Sequence, residues 1–558
     1  MSGASSPTSA RLEAARVLFA ERPTRLALAG VAIPSDPRRS VRIRVHRNHA
    51  IEPVLALAAP YLAYARISAE FEIGAYDDSL SFPSGPGEPL DATLVYLDLD
   101  RFERMTPDEL ATWLGGRVHV LRDENPAPIV VVAFGAAGRA EALRPALESV
   151  VDVFVVDPRS IAGAESIPHV DERALGVSGT RVANGLQGLL ARELASSVLP
   201  ALLLPPIKAI AIDLDETLVR GVLGEDGVDG VDLTAGHLAL QTTLRDLRER
   251  GTFLALVSRN VESDVEALFR ERDDFPLRWD DFSVRRVGWG SKSDALLEVA
   301  RELRIAPDAV LFVDDNPGEL FEVLEHVPGV DVVLASRDAE QTRRAIVHHP
   351  GVRKLRGSRD DALRVRDLAA NREREDAART HATREDYLRD LEVTITRRYD
   401  ALDARDRIAE LCRKTNQFNL ALLRTRAVDV ERRMASASSV VISATLDDRL
   451  SSSGTVAVVL ATRVDDRLVV EELCVSCRAL GRGLEDSLVL ASLLDAPLAA
   501  GCTEIAFQVA HGDRNEPALR WIASHLGIDE TPAPGLHTLS IERLRPSSRA
   551  AGVRFLAG

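Results

Sequence analysis

Only four cysteines occur in 558 residues, too few for a disulfide framework and in keeping with a reducing, cytoplasmic setting. Lysine is equally scarce: Lys208, Lys292, Lys354 and Lys414 are the only four among 69 Lys+Arg. Where arginine is the default cation, a retained lysine marks a place where a compact ammonium is wanted. No uncharged apolar run reaches the roughly eighteen residues of a membrane helix. The opening segment MSGASSPTSARLEAARVLFAERP has no basic start followed by an apolar core, so no secretory signal is expected. A basic excess is also missing. The net charge of −16 argues against general nucleic-acid binding. Internal repeats are absent.

What remains is the balance of a soluble globular chain, 46% hydrophobic and 28% charged, with length for about two to four domains. Residues 1–23 read as a tail, disordered over its first ten residues or so, and a leading helix. Over 24–198, the apolar runs RLALAGVAI, RIRV, RISAEFEI, ATLVYLDL, PIVVVAF and VDVFVV alternate with helix-like stretches such as TPDELATWLGGRV. This predicts an α/β domain with a mainly parallel sheet. After the punctuation LPALLLPP, residues 205–356 repeat the alternation, with IKAIAIDL, TFLALVS, AVLFVDD and VDVVLA as strands buried on both faces. The charged stretch 357–389 reads as a solvated helical linker. Residues 390–558 have the order strand, helix, strands, helix, strand, an α+β pattern.

The sharpest chemical signal is DLDETL after IKAIAI. Asp213 and Asp215 stand two apart at the C-terminal end of a buried strand, where open α/β sheets bind ligands. Asp213 is placed to attack phosphorus and form an aspartyl-phosphate. Asp215 is placed to protonate the leaving oxygen and then to deprotonate water. Thr217 follows as a phosphate ligand. The next strand, TFLALVS, ends in Ser258 with Arg259 and Asn260 behind it, donors for phosphoryl oxygens; WGSKSDAL then offers Lys292, and the strand of AVLFVDDNPGE ends in Asp314 and Asp315. A metal set of Asp213, Asp215, Asp314 and Asp315 calls for Mg²⁺. Only 42 residues separate Asp215 from Ser258 and 33 separate Ser258 from Lys292. Neither gap holds a large separate domain, so an open site is expected, suited to a bulky or tethered substrate.

Together DLDETL, SRN, Lys292 and FVDDNP resemble the four motifs of the haloacid-dehalogenase (HAD) superfamily. The resemblance implies a Rossmann-like core, Mg²⁺ and phosphatase or phosphotransferase chemistry, with Asp213 as nucleophile and Asp215 as acid/base. With KTNQFNL (Asn416, Gln417, Asn419) and SCRALGRGLED, the chain is similar to the FkbH-like family, HAD subfamily IIIC. That family implies a GNAT-like C-terminal domain, and the N-terminal region resembles an SGNH-like extension, although no GDS-type serine motif is present. Ser35 and His46 read there as turn and surface residues. Departures are Glu216 where members have Asn, Val219-Arg220 where they have Trp-Gly, and Arg259 where they have Lys.

Arg478, Gly481, Arg482 and Gly483 match an R-x-x-G-x-G acyl-CoA or pantetheine loop, whose N–H groups would face a pyrophosphate. The family implies glyceryl transfer from 1,3-bisphosphoglycerate, a small phosphorylated three-carbon donor, to an acyl carrier protein for polyketide-type biosynthesis. The sulfur would be the carrier's own or that of Cys477, beside Arg478. Cys477 reads equally as a small buried hydrophobe. Cys474 completes a C-x-x-C that lacks further zinc ligands, while Cys412 and Cys502 read as core. Docking an acidic carrier calls for a basic face from Arg413, Lys414, Arg478 and Arg482. Two other readings stay open: a HAD phosphatase fused to a CoA-dependent N-acyltransferase, and flanking domains that serve only as a carrier-binding scaffold.

Overall fold

The computed structural model describes residues 7–82, 89–356, 359–546 and 548–558. The chain is a multidomain α/β protein with two parallel sheets and one mixed sheet. These fall into two compact units, the first running to Arg356 and the second ending at Gly558, with the short segments 248–252 and 303–305 counted in the second. Among the described residues, no helix is long and apolar enough to cross a membrane.

The first unit opens on a helix, Pro7–Leu18, so the expected tail is helical from Pro7; residues 1–6 lie outside the described residues. Its first sheet comprises β1 (Arg39–Arg47), β2 (Ile67–Tyr76), β3 (Ala92–Asp98), β4 (Ile129–Phe134) and β5 (Val153–Val156), in the order β2-β1-β3-β4-β5. All its pairings are parallel. β3 and β4 are buried along their whole length, as the continuous apolar runs required. TPDELATWLGGRV does form a helix, Pro107–Glu124, started by a capping box between Thr106 and Glu109. RLALAGVAI departs from the expected strand: Arg25–Ala29 is a helix capped by the Thr24 side chain, which accepts from the Ala27 N–H. A Leu/Ala run behind a threonine cap favours helix, lacking the β-branched residues of a strand.

The second sheet comprises β6 (Ala209–Ile212), β7 (Phe253–Ser258), β8 (Val284–Val287), β9 (Val310–Asp314) and β10 (Asp331–Leu334), in the order β10-β9-β6-β7-β8 and again all parallel. β8, VRRV, was not foreseen; it is an edge strand whose arginines hide its apolar pattern. One hydrophobic core joins the two sheets' layers, running through Leu18, Phe19, Tyr61 and Leu199 to Ile210, Leu256 and Ile346.

The second unit carries β11 (Thr394–Tyr399), β12 (Ser439–Asp447), β13 (Ser452–Val464), β14 (Arg467–Val475), β15 (Glu504–Val509), β16 (Gly535–Ser540) and β17 (Arg554–Ala557). They form one mixed sheet in the order β16-β15-β14-β13-β12-β11-β17. The charged stretch before it is helical over Arg359–Thr380, but it is not a solvated connector. Asp367 and Arg374 are 1% and 3% exposed. They belong to a network in which Arg374 pairs with Asp448 at 2.7 Å and with Asp367 at 2.9 Å. Ser451 and Ser453 also donate to Asp367. Buried charge is tolerated because every member is paired.

Candidate active site

The second sheet sends β6, β7 and β8 one way and returns β9 and β10 to the other side of β6. A crevice therefore opens beyond the carboxyl ends of β6 and β9, the topological switch point. Asp213 follows β6 directly, its N–H held by the Val313 carbonyl at 3.0 Å, and Asp314 ends β9. An open cavity of about 460 Å³ lies there, lined by Asp213, Asp215, Glu216, Val222, Arg259, Lys292, Asp314, Asp315, Asn316, Pro317 and Glu319.

Lys292 begins the helix Lys292–Glu302. Its ammonium lies 2.5 Å from Asp314 Oδ2 and 3.1 Å from Asp213 Oδ2. Burial alone would lower its pKa, but the two carboxylates raise it above the ordinary value, so it stays charged. Desolvation pushes the Asp213 carboxyl up, with Lys292 opposing and Asp314 adding to the rise. Asp315 is likewise raised, by burial and then by Asp314. Three carboxylates against one ammonium leave the crevice short of positive charge.

The residues fit a divalent cation. Oxygens of Asp213, Asp314 and Asp315 all lie within 4.8 Å of one another, and Asp213 Oδ1 is buried without a hydrogen-bond partner. Hard oxygen donors of this kind suit Mg²⁺.

Asp215 has both oxygens engaged. Oδ1 accepts the Leu223 N–H at 2.9 Å, and Oδ2 accepts the Asn260 amide at 2.8 Å. Asn260 also donates to Ser258 Oγ at 3.0 Å. This amide aims the carboxylate and ties it to the end of β7, a positioning role that the sequence motif did not disclose. Asn316 similarly donates its N–H to Asp314 Oδ1 at 2.9 Å.

Other expected ligands sit differently. Thr217 is buried, its hydroxyl unpartnered, and it does not line the cavity. Arg259 does line it, yet its ion pair is with Glu319 at 2.7 Å, not with the Asp213 cluster. Glu216 adopts φ +52° and accepts the Gly221 N–H at 2.8 Å, which fixes the turn beside Asp215. Val219 is fully buried. Arg220 is exposed and faces Asp232 at 3.8 Å.

The second unit holds the remaining expected residues. Asn419 is fully buried, and its amide donates to Glu472 Oε1 at 3.1 Å and to the Cys412 carbonyl at 3.2 Å. Asn416 accepts from Arg424 at 2.6 Å, while Gln417 is exposed. Asn416 and Asn419 thus tie the loop together by internal hydrogen bonds. Cys412 and Cys474 are buried, Cys477 and Cys502 half-buried, and all four are free thiols. Cys502 lies in the turn before β15 rather than in a helix or strand.

Gly481 and Gly483 take left-handed conformations, φ +77° and +62°, beside a cavity of about 470 Å³ that Arg374, His381, Arg384 and Tyr387 also line. Arg482 is drawn to Asp367 at 3.3 Å and Asp448 at 3.5 Å, and Arg384 donates to the Gly483 carbonyl. Arg478 is buried, and Lys414 is neutralised by Glu410 at 2.6 Å. The expected basic face from Arg413, Lys414, Arg478 and Arg482 therefore does not form, because internal carboxylates and burial remove three of its four members.

No family model matches the sequence, and no curated protein matches it. Among solved structures, the chain is similar to the crystal structure of the N-terminal part of the protein BF1531 from Bacteroides fragilis, described as containing a phosphatase domain complexed with Mg. Identity is 17%, the match covers 62% of this chain and 99% of that chain, and the TM-score is 0.47. At that level the likeness carries no weight for chemistry, which rests on the residues themselves.

Proposed function

We propose that the first unit is a HAD-type, Mg²⁺-dependent phosphatase or phosphotransferase working through Asp213. The observation that carries this is the set Asp213, Lys292, Asp314 and Asp315 converging at the switch point, with Asp215 held beside it at the cavity wall. Asp213, Asp314 and Asp315 would hold Mg²⁺, which when bound supplies charge neutralisation for the phosphoryl oxygens.

The chain's own residues do the rest. Asp213 attacks phosphorus, the bond to the leaving oxygen breaks, and Asp215 gives that oxygen its proton. Asp215 then takes a proton from water, which displaces Asp213 and releases phosphate. Lys292 balances charge on the phosphoryl oxygens and keeps Asp213 from repelling them. Asn260 and the Leu223 N–H fix the direction in which Asp215 moves its proton.

In its finer form, the reading is glyceryl transfer to an acyl carrier protein. The donor is 1,3-bisphosphoglycerate, the sulfur is that of the carrier or of Cys477, and the remaining phosphate ester is removed at Asp213. The open cavity supports a tethered substrate, and the half-buried free thiol of Cys477 beside the glycine loop supports a sulfur acceptor. A scaffold role for the second unit is favoured by one observation: Asp367 and Asp448 already occupy Arg482. Incubation with a carrier protein, Mg²⁺ and 1,3-bisphosphoglycerate, read by intact-protein mass, separates these readings. A glyceryl gain on the carrier supports transfer. Phosphate release without loading leaves only the phosphatase, and acetyl-CoA turnover without carrier supports the N-acyltransferase alternative.

A further inference from the structure

The cavity beside Asp213 carries an unusual charge inventory. Among the described residues, six carboxylates line it, from Asp213, Asp215, Glu216, Asp314, Asp315 and Glu319, against two cations, Lys292 and Arg259. Lys292 is 5% exposed and committed to Asp213 and Asp314. A phosphoryl group bound at Asp213 would therefore have Lys292 and the metal as counter-charges. Arg259 lines the same cavity but pairs with Glu319.

Arg259 follows Ser258 at the end of β7, with its side chain 44% exposed. Its guanidinium reaches the first turn of the helix Pro317–His326, where Glu319 meets it at 2.7 Å. Glu319 is 12% exposed, and its second oxygen is buried without a partner. The ion pair thus engages Glu319 through one oxygen and leaves its other carboxylate oxygen unsatisfied. A planar guanidinium forms its strongest contacts with a carboxylate through two parallel hydrogen bonds, and the ion pair with Glu319 does not reach that two-oxygen arrangement.

We propose that Arg259 is a subsite for a second anionic group of the substrate, a carboxylate, and that Glu319 is its internal stand-in when the cavity is empty. The site would then select phosphate esters that also carry a carboxylate over esters with a neutral tail. In a cavity this rich in carboxylates, a second negative group is rejected unless it finds Arg259, the exposed cation of the described lining. This deepens the phosphatase reading and rests on it, with a free phosphorylated acid, not the glyceryl thioester, as the ester cleaved.

The test measures kcat/KM for the full-length wild-type enzyme with Mg²⁺ on two matched pairs: phosphoglycolate against ethyl phosphate, and 3-phosphoglycerate against glycerol 3-phosphate. A charge-assisted contact contributes on the order of 1.5–3 kcal/mol, so the carboxylated member of at least one pair should be favoured about 10- to 100-fold. In Arg259→Met that ratio should collapse to within about threefold of one, mainly through KM, whereas Glu319→Gln should raise it by freeing the guanidinium. Turnover without a preference, or a preference that survives in Arg259→Met, overturns the proposal and leaves the phosphatase reading standing. If the wild-type enzyme hydrolyses none of the four esters, both readings fall together.

Discussion

The two parallel sheets of the first unit are built alike and used differently. Each reverses direction once, between β1 and β3 in the first sheet and between β6 and β9 in the second. Each therefore has a crevice at the carboxyl ends of two adjacent strands. In the first sheet, polar residues reach this place too: Asn48 and His49 follow β1, and Asp98 ends β3. They are turned on one another. Asn48 exchanges two hydrogen bonds with the Asp98 backbone, at 3.1 and 2.8 Å, and Arg181 grips the Asp98 carboxylate at 3.0 and 2.7 Å. His49 stacks on Tyr96 with ring centroids 4.3 Å apart, its Nδ1 held by Thr180 at 2.9 Å. In the second sheet, three carboxylates share one ammonium, and Asp213 Oδ1 has no partner. The fold supplies the position in both cases. Arg181 also meets Asp100 at 3.1 Å and Glu172 at 2.9 Å. Among the described residues of the two crevices, only the second leaves a buried carboxylate oxygen, Asp213 Oδ1, for a ligand to complete.

The largest expected effect separates the two crevices directly. Asp213→Asn should lower Mg²⁺-dependent phosphate release from p-nitrophenyl phosphate by about 10⁴-fold or more. Asp98→Asn, at the aspartate that ends β3 in the first sheet's crevice, should leave that rate within about threefold, with any change appearing in thermal stability instead. Next in size is Asp215→Asn, expected to reduce the rate about 10²- to 10⁴-fold as proton transfer to the leaving oxygen is lost. A leaving group that needs no proton, such as p-nitrophenolate, should show less of this loss than an alkyl ester.

Breaking the closed crevice should act on stability rather than on rate. Arg181→Met leaves Asp98 buried without its bidentate partner and should destabilise the first unit by about 3–5 kcal/mol, measurable as a lower urea midpoint.

The smallest effect concerns acid. Burial and nearby arginines hold His49 and His348 down to about 3, and burial holds His349 down to about 4, against about 6.5 when unfolded. Because the folded values lie below the unfolded one, the stability of these neutral rings is complete above about pH 6.5 and is lost as pH falls toward the folded values. At pH 5.5 the loss is about 1.4 kcal/mol per ring. Urea melts at pH 7.5 and 5.5 check this, and His49→Asn should flatten the pH dependence by about one ring's share.

Much of this is legible in the sequence, for a physical reason. Strands buried on both faces are continuous apolar runs, and the residue ending such a run is placed by the fold, so Asp213, Ser258 and Asp314 could be located from sequence. Lys292 stood out by rarity and by its place in the order of motifs. Partnership was not readable. Nothing in SRN or DDNPGE told that Arg259 would meet Glu319, or that Asn260 would aim Asp215, because both contacts join segments far apart in the chain. The same holds for Asp367 and Arg374, whose mixed-charge context looked solvated until their partners Asp448 and Ser451 came from more than seventy residues away. β8 and the helix Arg25–Ala29 were misjudged for local reasons, arginines masking one pattern and a threonine cap overriding the other.

The central claim is that Asp213, and no residue of the closed crevice, takes the phosphoryl group. Acid-quenching the Mg²⁺-loaded enzyme during turnover, reducing it with borohydride and sequencing its peptides by mass spectrometry tests this. The account predicts conversion of Asp213 to homoserine, since an aspartyl-phosphate is reduced where a free carboxylate is not. Steady phosphate release with Asp213 unmodified, or with the label on another residue, would contradict it.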